Sequence, residues 1–233
     1  MKNIIKYKSL LILSLVLFSC KLDLPNPNNP NDGQILTSRE GMISLSIGMK
    51  QVYSTLALEA LTVTPGTTSR EVKGITTFTN IIELEAGGSA LPTFNGNINT
   101  VWSRMLRVMG MAEDLITQAP SVLATDNPMR SGVVAHAQLF KAMALGGLAT
   151  AFEQVPLQTD KNGQATFTTR QLALEEAINL LNQASATLGS TTPSTEFNTR
   201  VLGANFNLLN CINAYKARYN MMAGKYPEAI TAA

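Results

Sequence analysis

The side chains that could do chemistry are few: one histidine, two cysteines and sixteen acids in 233 residues. The histidine, His136, lies between Ala135 and Ala137 with no second histidine or cysteine near it. A metal ion needs three or four convergent ligands, so His136 reads as a packed or surface residue and no metal is expected. Glu83 and Glu85 stand two apart in a strand-like stretch, a period that puts both on one face, where a glycosidase could use them as acid and base. The plainer reading is a pair of solvated edge charges. Glu175 and Glu176 are adjacent on a helix, so they point to different faces and read as solvent contacts. The chain has no Gly-x-Ser-x-Gly elbow, phosphate-cradling loop or dinucleotide fingerprint, and Gly87-Gly88 lies outside any turn of that type. No catalytic residue and no cofactor is expected; the chain reads as a binding protein, not an enzyme. The binding candidates are Arg70, Phe94, Asn95 and Asn97, which together offer a ring face, amides and a guanidinium on a loop, the groups that hold a sugar. Against this stands the alternative that Phe94 packs inward and the Asn-Gly pairs only turn the chain.

Cys20 has a different chemistry in prospect. Lys2, Lys6 and Lys8 precede the apolar run Leu10 to Phe18, and Ser19-Cys20 follows at once. Nine helical residues reach only about 14 Å, roughly half a bilayer core, so the run reads as an export signal that is removed and not as an anchor. Leu17-Phe18-Ser19-Cys20 resembles the lipobox of bacterial lipoproteins, with Phe18 bulkier than the small residue usual there. That resemblance implies acylation of Cys20, which leaves Cys211 without an intramolecular partner and places stability on the core rather than on disulfides. Two or more acyl chains hold firmly where one holds marginally. Pro25, Pro27 and Pro30, set among asparagines, then deny the backbone a helix or packed strand, which makes this stretch a tether.

Once the leader is gone, the formal charge of +2 becomes about −1, because three of the basic residues lie in the removed segment. That balance excludes a net electrostatic drive toward nucleic acid, no Lys/Arg cluster interleaved with aromatics appears elsewhere, and no nucleic-acid partner is expected.

The elements that must position these residues are helices. Thr37-Ser38-Arg39-Glu40 has the pattern of a capping box, and Met42, Leu45, Met49, Val52 and Leu56 keep helical spacing to about Ala60. Leu61 to Thr100 carries nine threonines, five glycines and two prolines, which predicts an irregular excursion that can hold a short hairpin and that does something, since long structureless connections are uncommon. Val101 to Pro120 returns to helical spacing, with Trp102, Met105, Met109 and Met111 expected as packing residues. Arg130 to Phe152 is a helix with a small-residue surface, in which Gly146-Gly147 predicts a closely approaching neighbour. Val155-Pro156-Leu157 breaks out, Asn162-Gly163 turns the chain, and Thr169 to Leu188 and Val201 to Ala223 form two further helices. Gly224-Lys225-Tyr226-Pro227-Glu228-Ala229 matches the turn of a tetratricopeptide-like pair. The fold class is therefore all-α, a tetratricopeptide-like repeat scaffold, with residues 1–19 as signal peptide, 20–36 as tether and 37–233 as helical domain. The second helix of that pair stops one turn in, so the chain is expected to continue beyond Ala233.

Taken in order, Cys20 with Leu22-Asp23-Leu24 and the Pro-Asn tether, Trp102 opening a helix, the small-residue helix running into Val155-Pro156-Leu157, the Thr169 to Leu188 helix and Gly224 to Ala229 resemble the RagB/SusD family of outer-membrane lipoproteins. The resemblance implies a lid over a SusC-like TonB-dependent transporter that captures a glycan or peptide and hands it inward, anchored in the outer membrane through the lipid on Cys20. It also implies a length near twice this one. Leu148-Ala149-Thr150-Ala151-Phe152 departs from the family, which is commonly richer in aromatic and basic residues there. The alternative function is a lipidated helical-repeat scaffold that binds only proteins.

Overall fold

The computed structural model describes residues 32–160 and 162–233; the leader, Cys20 and most of the tether lie outside the described residues. The chain separates into Met1–Gln34 and Ile35–Ala233, and the second unit carries the fold.

Among the described residues the fold is all-α with one small hairpin. α1 (Arg39–Val52) runs through a π-turn (Tyr53–Ala57) into α2 (Leu58–Thr68); α3 (Thr79–Ala86), α4 (Gly96–Val122) and α5 (Asn127–Ala151) follow. β1 (Gln154–Pro156) and β2 (Phe167–Thr169) pair antiparallel, with Val155 opposite Thr168. α6 (Arg170–Ser190), a π-turn (Asn198–Leu202), α7 (Leu208–Met222) and α8 (Tyr226–Ala232) complete the chain. The hairpin thus sits after α5 rather than inside the excursion, and the excursion is largely helical.

Helix starts are set by side-chain caps. Ser38 accepts from Gly41 N, Asp126 from Met129 N, Thr169 from Leu172 N and Asn207 from Asn210 N. Each satisfies an N–H that the first turn leaves without a backbone partner. The α1 cap is Ser38, one residue later than the Thr37 box, and Glu40 turns to Arg200 instead of back to the cap. Two other boundaries also move. Pro120 lies inside the last turns of α4 instead of ending it. The stretch from Val201 to Ala223 is interrupted by Gly203 (φ +80°) and Asn205 (φ +69°), so α7 begins only at Leu208.

α5 is the centre of the fold. It packs against α4 on one side and α6 on the other, with α1 and α7 also touching it. Nineteen of its residues are buried, so the apolar length that could cross a membrane is covered by protein. The close approach predicted at Gly146-Gly147 is present. A Cβ on Gly146 would stand 2.2 Å from the Tyr219 ring of α7, and one on Gly147 would stand 3.0 Å from Leu61 of α2. Tyr219 donates its hydroxyl to the Met143 carbonyl at 3.2 Å, which fixes α7 on the small face of α5. Beyond α7, Gly224 (φ +76°) donates to Met221 O and Lys225 N to Asn220 O. This pair of bonds is a Schellman turn, which stops one helix and sends the chain antiparallel into α8. Met105 and Met109 are fully buried, whereas Met111 and Trp102 are half-buried.

A charge cluster closes the ends of the stack. Arg39 donates to Asp126 at 2.8 Å and to Glu196 at 2.6 Å, and Arg200 bridges Glu40 and Glu196 at 2.7 and 2.8 Å. Hydrogen bonds from Arg39 and then Arg200 pull the Glu196 carboxyl down to about 2. The depressed value means that its contribution is complete above the ordinary carboxylate range and is lost as pH falls toward 2. The pairs are partly solvated, so their net effect is modest and screened by salt. Arg39→Ala is expected to lower the melting temperature by only a few degrees at low salt. Melts in 1 M sodium chloride should shrink that gap, and an undiminished gap would mean that Arg39 acts by packing.

Candidate functional site

The excursion folds into a pocket wall. Threonine normally weakens a helix, but in α2 the hydroxyls of Thr62, Thr67 and Thr68 bond back to the carbonyls four residues earlier, a local satisfaction that lets a Thr-rich stretch stay helical. Between the last turn of α2, the last turn of α5, the segment Leu91–Thr93 and the first turns of α4 lies an open pocket of about 590 Å³. Its apolar lining comes from Pro65, Leu91, Pro92, Ile98, Val101, Ala151 and Phe152. Its polar lining is entirely hydroxyl, from Thr64, Thr68, Ser69, Thr93 and Thr150. An apolar cleft with a few placed polar groups is the usual form of a small-molecule site.

An aromatic group supports one wall. Phe152 meets Trp102 edge-on at 4.9 Å, and Phe167 of β2 stacks on Trp102 at 5.8 Å with planes 6° apart. The hairpin thus braces the pocket through Trp102. A tripeptide strand and a lone Phe give no periodic signal, so neither Phe152 nor Phe167 stands out in the sequence as a pocket residue. The change from a helical run to Val155-Pro156-Leu157 was the available cue.

The structure separates the four candidate binding residues. Arg70 is exposed, in the left-handed region at φ +66°, one residue beyond the pocket-lining Ser69. Phe94 is 77% exposed, so its ring faces solvent and does not pack inward; Thr93 beside it lines the pocket. Asn95 is 2% exposed and its groups are engaged. Its amide donates to Asn80 O and Glu83 Oε2, both at 2.9 Å, and its oxygen accepts from Asn97 N as the cap of α4. The Asn97 amide reaches Asn80 O at 3.4 Å. These two asparagines knot α3 to the start of α4 and position Thr93 and Phe94, a holding role in place of the ligand contact expected of them. Glu83 and Glu85 lie on α3, not on a strand, and two residues apart on a helix they diverge instead of sharing a face.

Lys141, Glu113 and His136 lie inside the fold rather than at the pocket. Lys141 and Glu113 pair at 3.0 Å in the interior, and Glu113 also accepts from the Thr159 backbone N–H at 3.1 Å and from its hydroxyl. This ties the hairpin loop to α4 and α5. His136 is fully buried between Phe140 and Phe197, at 4.7 and 6.0 Å between ring centroids, and neither ring nitrogen has a hydrogen-bond partner. Burial, and then the Lys50 charge, push it down to about 3. Among the described residues no three His, Cys, Asp or Glu side chains converge as metal ligands.

Compared with known protein families, with curated proteins and with solved structures, the chain matches none.

Proposed function

We propose that this chain is a surface lipoprotein of the outer membrane that captures a nutrient, glycan or peptide, and passes it to a SusC-like TonB-dependent transporter, with no catalytic step of its own. The observation that carries the reading is the open pocket walled by hydroxyls and apolar side chains at the ends of α2 and α5. It is of a size to bury much of a small ligand and is held by a rigid helical stack. The ordered sequence features from Cys20 to Ala229, quoted above for the RagB/SusD resemblance, support the transporter partnership. The second reading, a lipidated scaffold that binds only proteins, is favoured by exposed apolar side chains before and along α3: Ile75 at 99%, Phe78 at 70% and Ile82 at 51%.

Localisation is decided by Cys20. Cells fed a palmitate analogue are expected to label the parent and not Cys20→Ala, and fractionation should move the variant out of the membrane pellet. Unlabelled parent protein, with the variant still in the pellet, overturns the lipoprotein reading. Crosslinking in the same cells separates the two functions. Recovery of a large barrel protein supports nutrient transfer, whereas recovery of only periplasmic or assembly proteins supports the scaffold.

A further inference from the structure

If the pocket beside Phe152 is the capture site, its lining also limits what it captures. No charged or amide side chain lines it. Sugars present many hydroxyls that need planar amides, carboxylates or guanidinium groups to satisfy them on burial, and a hydroxyl left without a partner weakens binding. Three of the five hydroxyls that line the pocket are already donating. Thr68 donates to Thr64 O, Ser69 to Gly66 O and Thr150 to Gly147 O, so each of these oxygens keeps only acceptor lone pairs for a ligand.

The backbone adds to this bias. α2 ends at Thr68 and α5 at Ala151, and residues of both last turns line the pocket, so the partial negative ends of two helices lie beside it. In α2 the carbonyls of Pro65, Gly66 and Thr67 already accept from the N–H groups of Ser69, Val72 and Arg70, so the acceptors there are the hydroxyl oxygens of Thr68 and Ser69. The one opposing element is the start of α4, where the Asn97 N–H is already met by the Asn95 side chain. Arg70, the nearest cation in sequence, does not line the pocket. The site therefore offers acceptors and negative potential above an apolar floor of Leu91, Pro92, Ile98 and Phe152.

We infer that this pocket binds the N-terminal end of a short apolar peptide, the ammonium group at the C-termini of α2 and α5 and the first side chain against Leu91, Pro92 and Phe152. The inference rests on the capture reading above and narrows it to one ligand class.

The test is calorimetric titration of the full chain, purified in detergent, with leucyl-leucyl-glycine, its N-acetyl form and maltotriose. The free peptide is expected to bind, and acetylation should weaken it tenfold or more. Thr68→Lys places a cation at the end of α2, where it favours the helix, and should cost the free peptide at least tenfold while changing the acetylated form less than twofold. Ala151→Phe fills the pocket from an exposed position and should abolish binding with the melting temperature kept. Equal affinity for the acetylated peptide, an unaffected Ala151→Phe variant, or no peptide binding at millimolar concentration overturns the inference. Maltotriose binding that Ala151→Phe removes, with no peptide binding, overturns it too but leaves the pocket as the capture site.

Discussion

Replacing Gly146 by Val is expected to destabilise the protein by about 3 kcal/mol or more, at the upper end of what overpacking a filled core costs. The first added carbon alone would stand 2.2 Å from the Tyr219 ring, and that ring cannot retreat. Its hydroxyl is held by Met143 O, and α7 behind it is fixed by its packing on α6. In a Tyr219→Ala background, itself weakened by the lost ring, the same site gains room. There Gly146→Ala should become neutral or stabilising, since alanine is favoured over glycine in a helix interior by about 1 kcal/mol. Denaturant melts of the four combinations measure this. Additive losses would show that the contact between α5 and α7 is not what demands glycine.

The second large effect belongs to His136. It is buried without a hydrogen-bond partner, faced by Phe140 on its own helix, Phe197 and the cation of Lys50 on α1, and held near 3 against an ordinary value of 6.5. A base whose folded value is depressed leaves the native state neutral while the unfolded chain takes up a proton. Its contribution is therefore complete above pH 6.5 and is lost as pH falls from 6.5 toward 3. The slope is about 1.4 kcal/mol per pH unit, or about 3 kcal/mol by pH 4. His136→Leu, of similar volume and with no orphan nitrogen, is expected to be more stable at pH 7 and to gain further on the parent as the solution is acidified. Parallel stability curves from pH 7 to pH 4 would show that His136 does not carry the acid response.

The features legible in the sequence were those with one physical cause. The Gly146-Gly147 pair announced a close neighbour because glycine inside a helix has few other uses. The Gly224 turn was legible because a Schellman stop fixes its glycine. The excursion does not read as helix in the sequence because threonine and Pro65 are penalised in isolated helices, while in the fold the hydroxyls of Thr62, Thr67 and Thr68 satisfy carbonyls of their own helix and α2 packs on α4 and α5. The break at Gly203 and Asn205 sits among Leu202, Phe206 and Leu209, whose spacing of four and three reads as one helix. Around the pocket, Arg70 and Phe94 stay exposed while Asn95 and Asn97 bind neighbouring backbone. Asparagine serves as readily for capping as for recognition, and only the positions of Asn80 and Glu83 decide between them. The pocket itself joins residues 64–69, 91–101 and 150–152, a convergence that periodicity along one segment does not express.

Most contacts in this stack join elements close in the chain, and such contacts form quickly. The Arg39 to Glu196 pair is different: it spans 157 positions, as the Lys50 bonds to Val201 and Leu202 carbonyls span 151 and 152. Closing so long a loop before the intervening helices have assembled would cost chain entropy without return. These links are therefore expected to form after the rate-limiting barrier has been crossed, which folding and unfolding rates of Arg39→Ala would check. In kinetic terms they act as a latch on the finished stack, whose removal hastens unfolding and leaves the rate of folding nearly untouched.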